Sequence, residues 1–145
     1  MVKKIEITDV AELNSVADQL LPFLKSNTIF LLNGEMAAGK TTFISTLLLK
    51  LGVSEVSSPT YAIHQTYLIQ NRTTVHHFDL HRLETADEIE TSGIWDSFEN
   101  SKDIFFIEWA NKINAKSWPI NFKIIKIDIK KTTESTRLIE INFLN

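Results

Sequence analysis

Eight consecutive residues, Gly34-Glu35-Met36-Ala37-Ala38-Gly39-Lys40-Thr41, match the spacing G-x-x-x-x-G-K-[ST] at every fixed position. That spacing suits the binding of phosphate. Small residues such as Ala37, Ala38 and Gly39 let successive backbone N–H groups converge on phosphate oxygens, and a helix beginning just after them turns its positive end the same way. Lys40 would reach the β- and γ-phosphates as a point charge. The Thr41 hydroxyl, with Thr42 beside it, offers oxygen to magnesium, a hard ion. The same pattern arises by chance in glycine-bearing turns, so its surroundings decide. Here a continuous apolar run, Thr28–Leu32, precedes it and an apolar-faced segment, Phe43–Leu49, follows. Strand, turn and helix in that order are what a phosphate-binding loop requires, so ATP and Mg2+ are the expected ligands.

Such a site also needs an acid at the end of a neighbouring buried strand. Ile104-Phe105-Phe106-Ile107-Glu108 supplies one. Glu108 would order the water around magnesium or help to position an attacking water; a surface glutamate at a strand end is the plainer alternative. Asp79 is the second candidate acid. It lies in Thr73–Leu80, where residues 77, 79 and 81 share one face of a strand. Two histidines and an aspartate at that spacing raise the question of zinc. Alternate positions on one strand make a poor tetrahedral clamp, however, and a hydrogen-bonded polar cluster is the commoner outcome. The expected role of Asp79 is to orient water or a switch loop near the γ-phosphate. Lys40, Asp79 and Glu108 are thus the candidate catalytic set, with Thr41 and Glu108 at the metal. Trp109, next to Glu108, is placed either to stack on a ligand or partner or to pack.

These residues need a scaffold, and the patterning predicts one. Residues 2–7 read as a short strand. Thr8 or Asp9 can cap a helix running to about Lys25, with Leu13, Val16, Ala17, Leu20, Leu21 and Leu24 on one face and Pro22 as a point of kinking or termination. A helix from Lys40 to about Leu51 closes at Gly52. Residues 53–60 form a loop. Ala62–Ile69 and Thr73–Leu80 pair across a turn at Gln70-Asn71-Arg72, Thr85–Thr91 is a short acidic helix ended by Gly93, and Phe122–Lys130 with Arg137–Phe143 alternate as a hairpin. The expectation is α/β: a single-domain P-loop NTPase fold over residues 1–145, with a mixed central sheet flanked by helices and a C-terminal antiparallel hairpin.

Composition sets limits on the alternatives. The chain has 145 residues, net charge −3 and no cysteine, so neither a disulfide framework nor a thiolate metal site is available. Mild acidity gives no bulk attraction to nucleic acid. No leader-like stretch and no membrane-length apolar run is visible, which predicts a cytoplasmic protein with no membrane partner.

The order of motifs resembles the bacterial TsaE (YjeE) family, small P-loop ATPases of tRNA threonylcarbamoyladenosine (t6A) biosynthesis. The stretches that carry the resemblance are Leu32 to Thr42, Ser58-Pro59-Thr60-Tyr61, His77-Phe78-Asp79-Leu80-His81-Arg82-Leu83, Glu88 through Gly93-Ile94, and Ile107-Glu108-Trp109, across about residues 5–140. The resemblance implies a switch role for Ser58, Pro59, Thr60 and Tyr61, functional importance for Asp79, a magnesium-site role for Glu108 and a place near the nucleotide for Arg137. It implies that the protein does not modify tRNA itself. Its partner would be a TsaB–TsaD complex, through which it meets tRNA indirectly, and ATP hydrolysis would support threonylcarbamoyl transfer to adenosine 37 of tRNAs reading ANN codons. The chain departs from the family pattern at Ala37, where glycine is usual, at His81 for a usual Tyr, and at Ala110 for a common Pro. If position 37 needs a positive φ, alanine there carries strain.

Two other readings compete with the ATPase switch. A small-molecule kinase would need arginines to clamp a second phosphate-bearing substrate, and Arg72, Arg82 and Arg137 are the only arginines in the chain, none of them clustered. That leaves a kinase acting on an uncharged, nucleoside-type acceptor. A nucleotide-binding adaptor with little turnover is the third. No base-reading Asn-Lys-x-Asp motif of the GTPase type is present, which favours ATP. Trp95 and Trp118 read as packing residues, and Glu84, Asp87, Glu88 and Glu90 as a solvated helix face.

Overall fold

In the computed structural model, which describes residues 2–35, 37–53, 63–69, 73–99 and 101–145, the two continuous apolar runs lie side by side. Strand β2 (Thr28–Asn33) pairs in parallel with β5 (Ile104–Glu108), Phe30 opposite Phe106 and Leu32 opposite Glu108. Neither strand alternates because both faces are covered. Phe30, Leu32, Ile104 and Phe106 enter one core, and Ile29, Leu31, Phe105 and Ile107 enter the other.

The sheet has seven strands in the order β1-β7-β6-β2-β5-β4-β3, with β1 at Val2–Ile7, β3 at His64–Leu68, β4 at Thr74–Asp79, β6 at Lys123–Lys131 and β7 at Arg137–Phe143. The four central strands β6, β2, β5 and β4 are parallel. β7, β1 and β3 join antiparallel. The sheet is mixed and the C-terminal hairpin is present, as the patterning predicts.

Helices cover both faces. α1 (Leu13–Leu20) buries Leu13, Val16, Ala17 and Leu20, and α2 (Lys40–Lys50) buries Phe43, Ile44, Leu47 and Leu48 against the same core. On the opposite face lie α3 (Ala86–Thr91) and α4 (Ile94–Phe98), with short turns at Ala110–Lys112 and Ala115–Ser117. Trp118 is buried there and Trp95 half-buried.

Two boundaries differ from the sequence reading. The first helix stops at Leu20 rather than about Lys25; Leu21–Phe23 tighten into a single 3-10 turn with Pro22 at its start, where the missing N–H costs no helical bond. Gly93, at φ 87°, does close α3 but also opens α4, which the pattern did not reveal. Asp9 is the cap of the first helical turn, its carboxylate accepting the Ala11 N–H at 2.9 Å. Most of the expected 53–60 loop and the 70–72 turn lie outside the described residues.

Candidate functional site

The phosphate loop leaves the C-terminal end of β2 and enters α2, and the candidate acids stand at the ends of the next two strands on one side, Glu108 on β5 and Asp79 on β4. Three of its described residues have positive φ: Gly34 at 156°, Ala37 at 63° and Gly39 at 112°. Ala37 therefore adopts the left-handed conformation that a glycine would take without strain, at a cost on the order of 1 kcal/mol. Gly34 is required by space as well: a Cβ there would sit 2.6 Å from the Ile129 carbonyl oxygen of β6.

Lys40 is 6% exposed, and its ammonium donates to the carbonyls of Gly34 and Glu35, the latter at 3.0 Å. The loop thus curls around the lysine. The Trp109 ring lies 4.4 Å from the same nitrogen, and the Trp109 backbone, at φ 59°, folds it back over the loop. His81 packs against that ring at 4.7 Å. Burial lowers the Lys40 pKa, while the carboxylates of Glu108, Asp79 and Glu35 act in the opposite sense. An ammonium so desolvated gains from a phosphate more than an exposed one would.

Glu108 is a buried group, 2% exposed, unlike an ordinary strand-end glutamate. Its Oε1 accepts the Thr41 hydroxyl at 3.2 Å and its Oε2 accepts the His77 Nε2–H at 2.6 Å. His77 and Asp79 share one face of β4, with Asp79 opposite Glu108 across the β4–β5 pairing. The sequence pattern put residues 77 and 79 on one face; their meeting with Glu108 depends on β4 and β5 being neighbours, which no local signal encodes. His81 lies in the turn beyond β4 and does not extend that face into a zinc clamp. Among the described residues no group of three His, Asp or Glu side chains is arranged for a metal by itself.

These groups line one hollow of about 270 Å³: Ala37, Gly39, Lys40, Thr41, Thr42, Asp79, His81, Glu108 and Trp109. A larger hollow, about 740 Å³, lies between α3, α4 and residues 112–117 and contains none of the loop. Asp79 Oδ1 accepts the His81 N–H at 3.0 Å, which fixes the chain as it leaves β4. Arg137 stands on the other side of the loop. Its Nε donates to the Ala38 carbonyl at 3.0 Å and its Nη1 to carbonyls of the β6–β7 turn, so it braces the loop from β7. Beside it is a smaller hollow of about 150 Å³ that includes Val10, Leu13, Thr42 and Arg137. Met36 and the 58–61 segment, Ser58, Pro59, Thr60 and Tyr61, lie outside the described residues. No helix among those described is long and apolar enough to cross a membrane.

A comparison with solved structures finds Bacillus subtilis YdiB, at TM-score 0.75 and 22% identity, covering 100% of this chain and 88% of that one; the two share a fold. The sequence is 32% identical over 132 residues to the tRNA threonylcarbamoyladenosine biosynthesis protein TsaE of Rickettsia felis, across 90% of this chain and 74% of that protein. It is 35% identical over 119 residues to the protein of the same name from Borreliella burgdorferi, across 79% and 80%. The Haemophilus influenzae TsaE matches at 43% over 82 residues, 56% of this chain and 51% of the relative. Residues 7–139 match the family model described as threonylcarbamoyl adenosine biosynthesis protein TsaE, and on that span the chain belongs to the TsaE family.

Proposed function

We propose that this chain binds ATP with magnesium in the 34–42 loop and hydrolyses it, as the ATPase component of t6A formation on tRNA. The observation that carries the reading is the Thr41 hydroxyl held at 3.2 Å from a buried Glu108, with Lys40 in the same hollow. The hydroxyl of Thr41 and the carboxylate of Glu108 offer oxygen alone, which fits magnesium rather than a softer ion. The loop suits phosphate for a separate reason: Ala37, Gly39 and the Lys40 ammonium line the same hollow at the start of α2.

In this reading the Lys40 ammonium exchanges the loop carbonyls of Gly34 and Glu35 for phosphate oxygens. The Thr41 hydroxyl, which donates to Glu108, would offer its oxygen to the metal. Glu108 would order the metal's waters, and Asp79, which lines the same hollow, would orient water or a switch segment. When bound, magnesium neutralises the charge that builds on the transferring phosphate. Arg137 holds the loop carbonyls turned away from the anion, so that the loop's N–H groups face it. The hollow at Val10, Leu13 and Thr42 would receive the base end of the nucleotide. The partner is a TsaB–TsaD type complex, with tRNA reached only through it, in the cytoplasm.

The test is phosphate release from Mg-ATP by the purified protein, alone and with a cognate TsaB–TsaD pair. Release that rises with the pair and vanishes in Lys40→Ala is the expected result. Wild-type release by Lys40→Ala overturns the loop assignment. Transfer of phosphate to a nucleoside-type acceptor, with none released as inorganic phosphate, replaces the ATPase reading with the kinase one.

A further inference from the structure

Resting on the reading of Glu108 as the residue that orders magnesium's waters, we propose that His77 is a positioning residue for this site: its buried imidazole sets the plane of the Glu108 carboxylate. His77 is 0% exposed and sits on β4, one alternate position before Asp79. Its Nε2–H meets Glu108 Oε2 at 2.6 Å, a short, charge-assisted contact. The other carboxylate oxygen takes the Thr41 hydroxyl at 3.2 Å. Both oxygens of one glutamate are therefore held by donors on two different elements, β4 and α2. With the Thr41 donor alone, the carboxylate could turn about its last torsion, which is broad and soft. With both donors it has one plane, and its remaining lone pairs face the hollow.

The tautomer follows from the surroundings. Among the described residues, His77 Nδ1 is buried without a hydrogen-bond partner. A proton placed there would have no acceptor, whereas a proton on Nε2 has Glu108, so the ring donates from Nε2. β4 thus acts on the site twice, with Asp79 at the mouth of the hollow and His77 behind the carboxylate that closes its floor. A buried polar pair kept only for packing would affect stability and leave the response to magnesium alone. A positioning role ties His77 to the response itself, since partners of metal-site carboxylates set ligand orientation and affinity.

The experiment titrates ATP calorimetrically into the full-length protein, with EDTA and then with magnesium, and records melting temperatures alongside. His77→Leu removes the donor while keeping apolar volume; His77→Gln restores an N–H near the place of Nε2; His77→Asn restores one too short to reach Glu108. Expected is metal-free ATP affinity within about threefold of wild type in all three, with the strengthening due to magnesium reduced about tenfold or more in the Leu and Asn variants and largely regained in Gln. A ¹H–¹⁵N spectrum of the nucleotide-free protein should show His77 protonated at Nε2. A folded Leu variant with the full magnesium response, or a ring protonated at Nδ1, overturns the proposal while leaving Glu108→Ala to test the metal site. Where the Leu variant fails to fold, equal responses from Gln and Asn overturn it. A wild-type protein that gains nothing from magnesium removes this proposal together with the metal reading beneath it.

Discussion

Replacing Gly34 with alanine should be among the most damaging one-carbon changes in this protein. The added Cβ would lie 2.6 Å from the Ile129 carbonyl oxygen, well short of a comfortable C···O contact of ~3.3 Å. The obstacle cannot swing aside, because Ile129 is part of β6 and pairs with Ile139 of β7. Forcing a methyl into a packed position costs about 1–3 kcal/mol. The φ of 156° adds backbone strain of roughly 1–3 kcal/mol for a non-glycine residue. Alanine restricts the unfolded chain and returns about 0.4–1 kcal/mol. The net loss is about 1–6 kcal/mol, or roughly 3–18 °C in melting temperature at ~3 °C per kcal/mol for a chain of this size. Gly39→Ala is the control: φ is 112° but no atom lies within 4 Å, so only strain remains. Scanning calorimetry of the ligand-free variants reads the difference. A Gly34→Ala protein that melts no lower than Gly39→Ala would show that the clash with β6 is not what reserves this position for glycine.

Four further outcomes are expected. Ala37→Gly should leave stability within about 0.5 kcal/mol, because relief of left-handed strain and added unfolded-state freedom oppose each other. Ala37→Val, β-branched at φ 63°, should lose about 1–2 kcal/mol in urea unfolding; equal midpoints would contradict the observed loop conformation. Arg137→Gln removes the donor at 3.0 Å from the Ala38 carbonyl and should cost about 1–2 kcal/mol while weakening ATP binding, read by denaturation and titration; unchanged affinity would reduce Arg137 to a turn brace. His64 has its pKa lowered to about 4 by burial first, then by His76 and His77. The unfolded chain takes up that proton near 6.5 and the folded one does not, so the stability is complete above about 6.5 and drains as pH falls towards about 4. His64→Gln should flatten the fall in urea midpoint between about pH 7 and pH 5, and an identical slope would place the titration elsewhere.

What the sequence could disclose follows from how local each feature is. The 34–41 loop, the two buried strands on either side of the site and the C-terminal hairpin are written in contiguous residues, and each is present as patterned. The positive φ at Ala37 was legible too, as a departure from a glycine-bearing pattern. The burial of Glu108 was not, because it depends on His77 and Thr41 arriving from two other elements. Arg137 shows the same limit. Its contact with Ala38 spans 99 positions, and nothing local to either residue foretells a guanidinium braced on the loop carbonyls. α4 escaped because Gly93 closes one helix and opens the next, and its five residues are too few to show a period.

The strand order also bears on how the protein is made. β2 carries the phosphate loop, but one of its two neighbours is β6, at residues 123–131, and the loop's brace is Arg137 on β7. During synthesis the whole loop motif emerges long before the strand that flanks it, so an early nascent chain carries the letters of a nucleotide site without its seat. Closing such distant pairings is slow and leaves apolar strands exposed meanwhile. A fragment ending before β6 would therefore keep the loop sequence while lacking the strand that flanks β2 and the arginine that braces the loop.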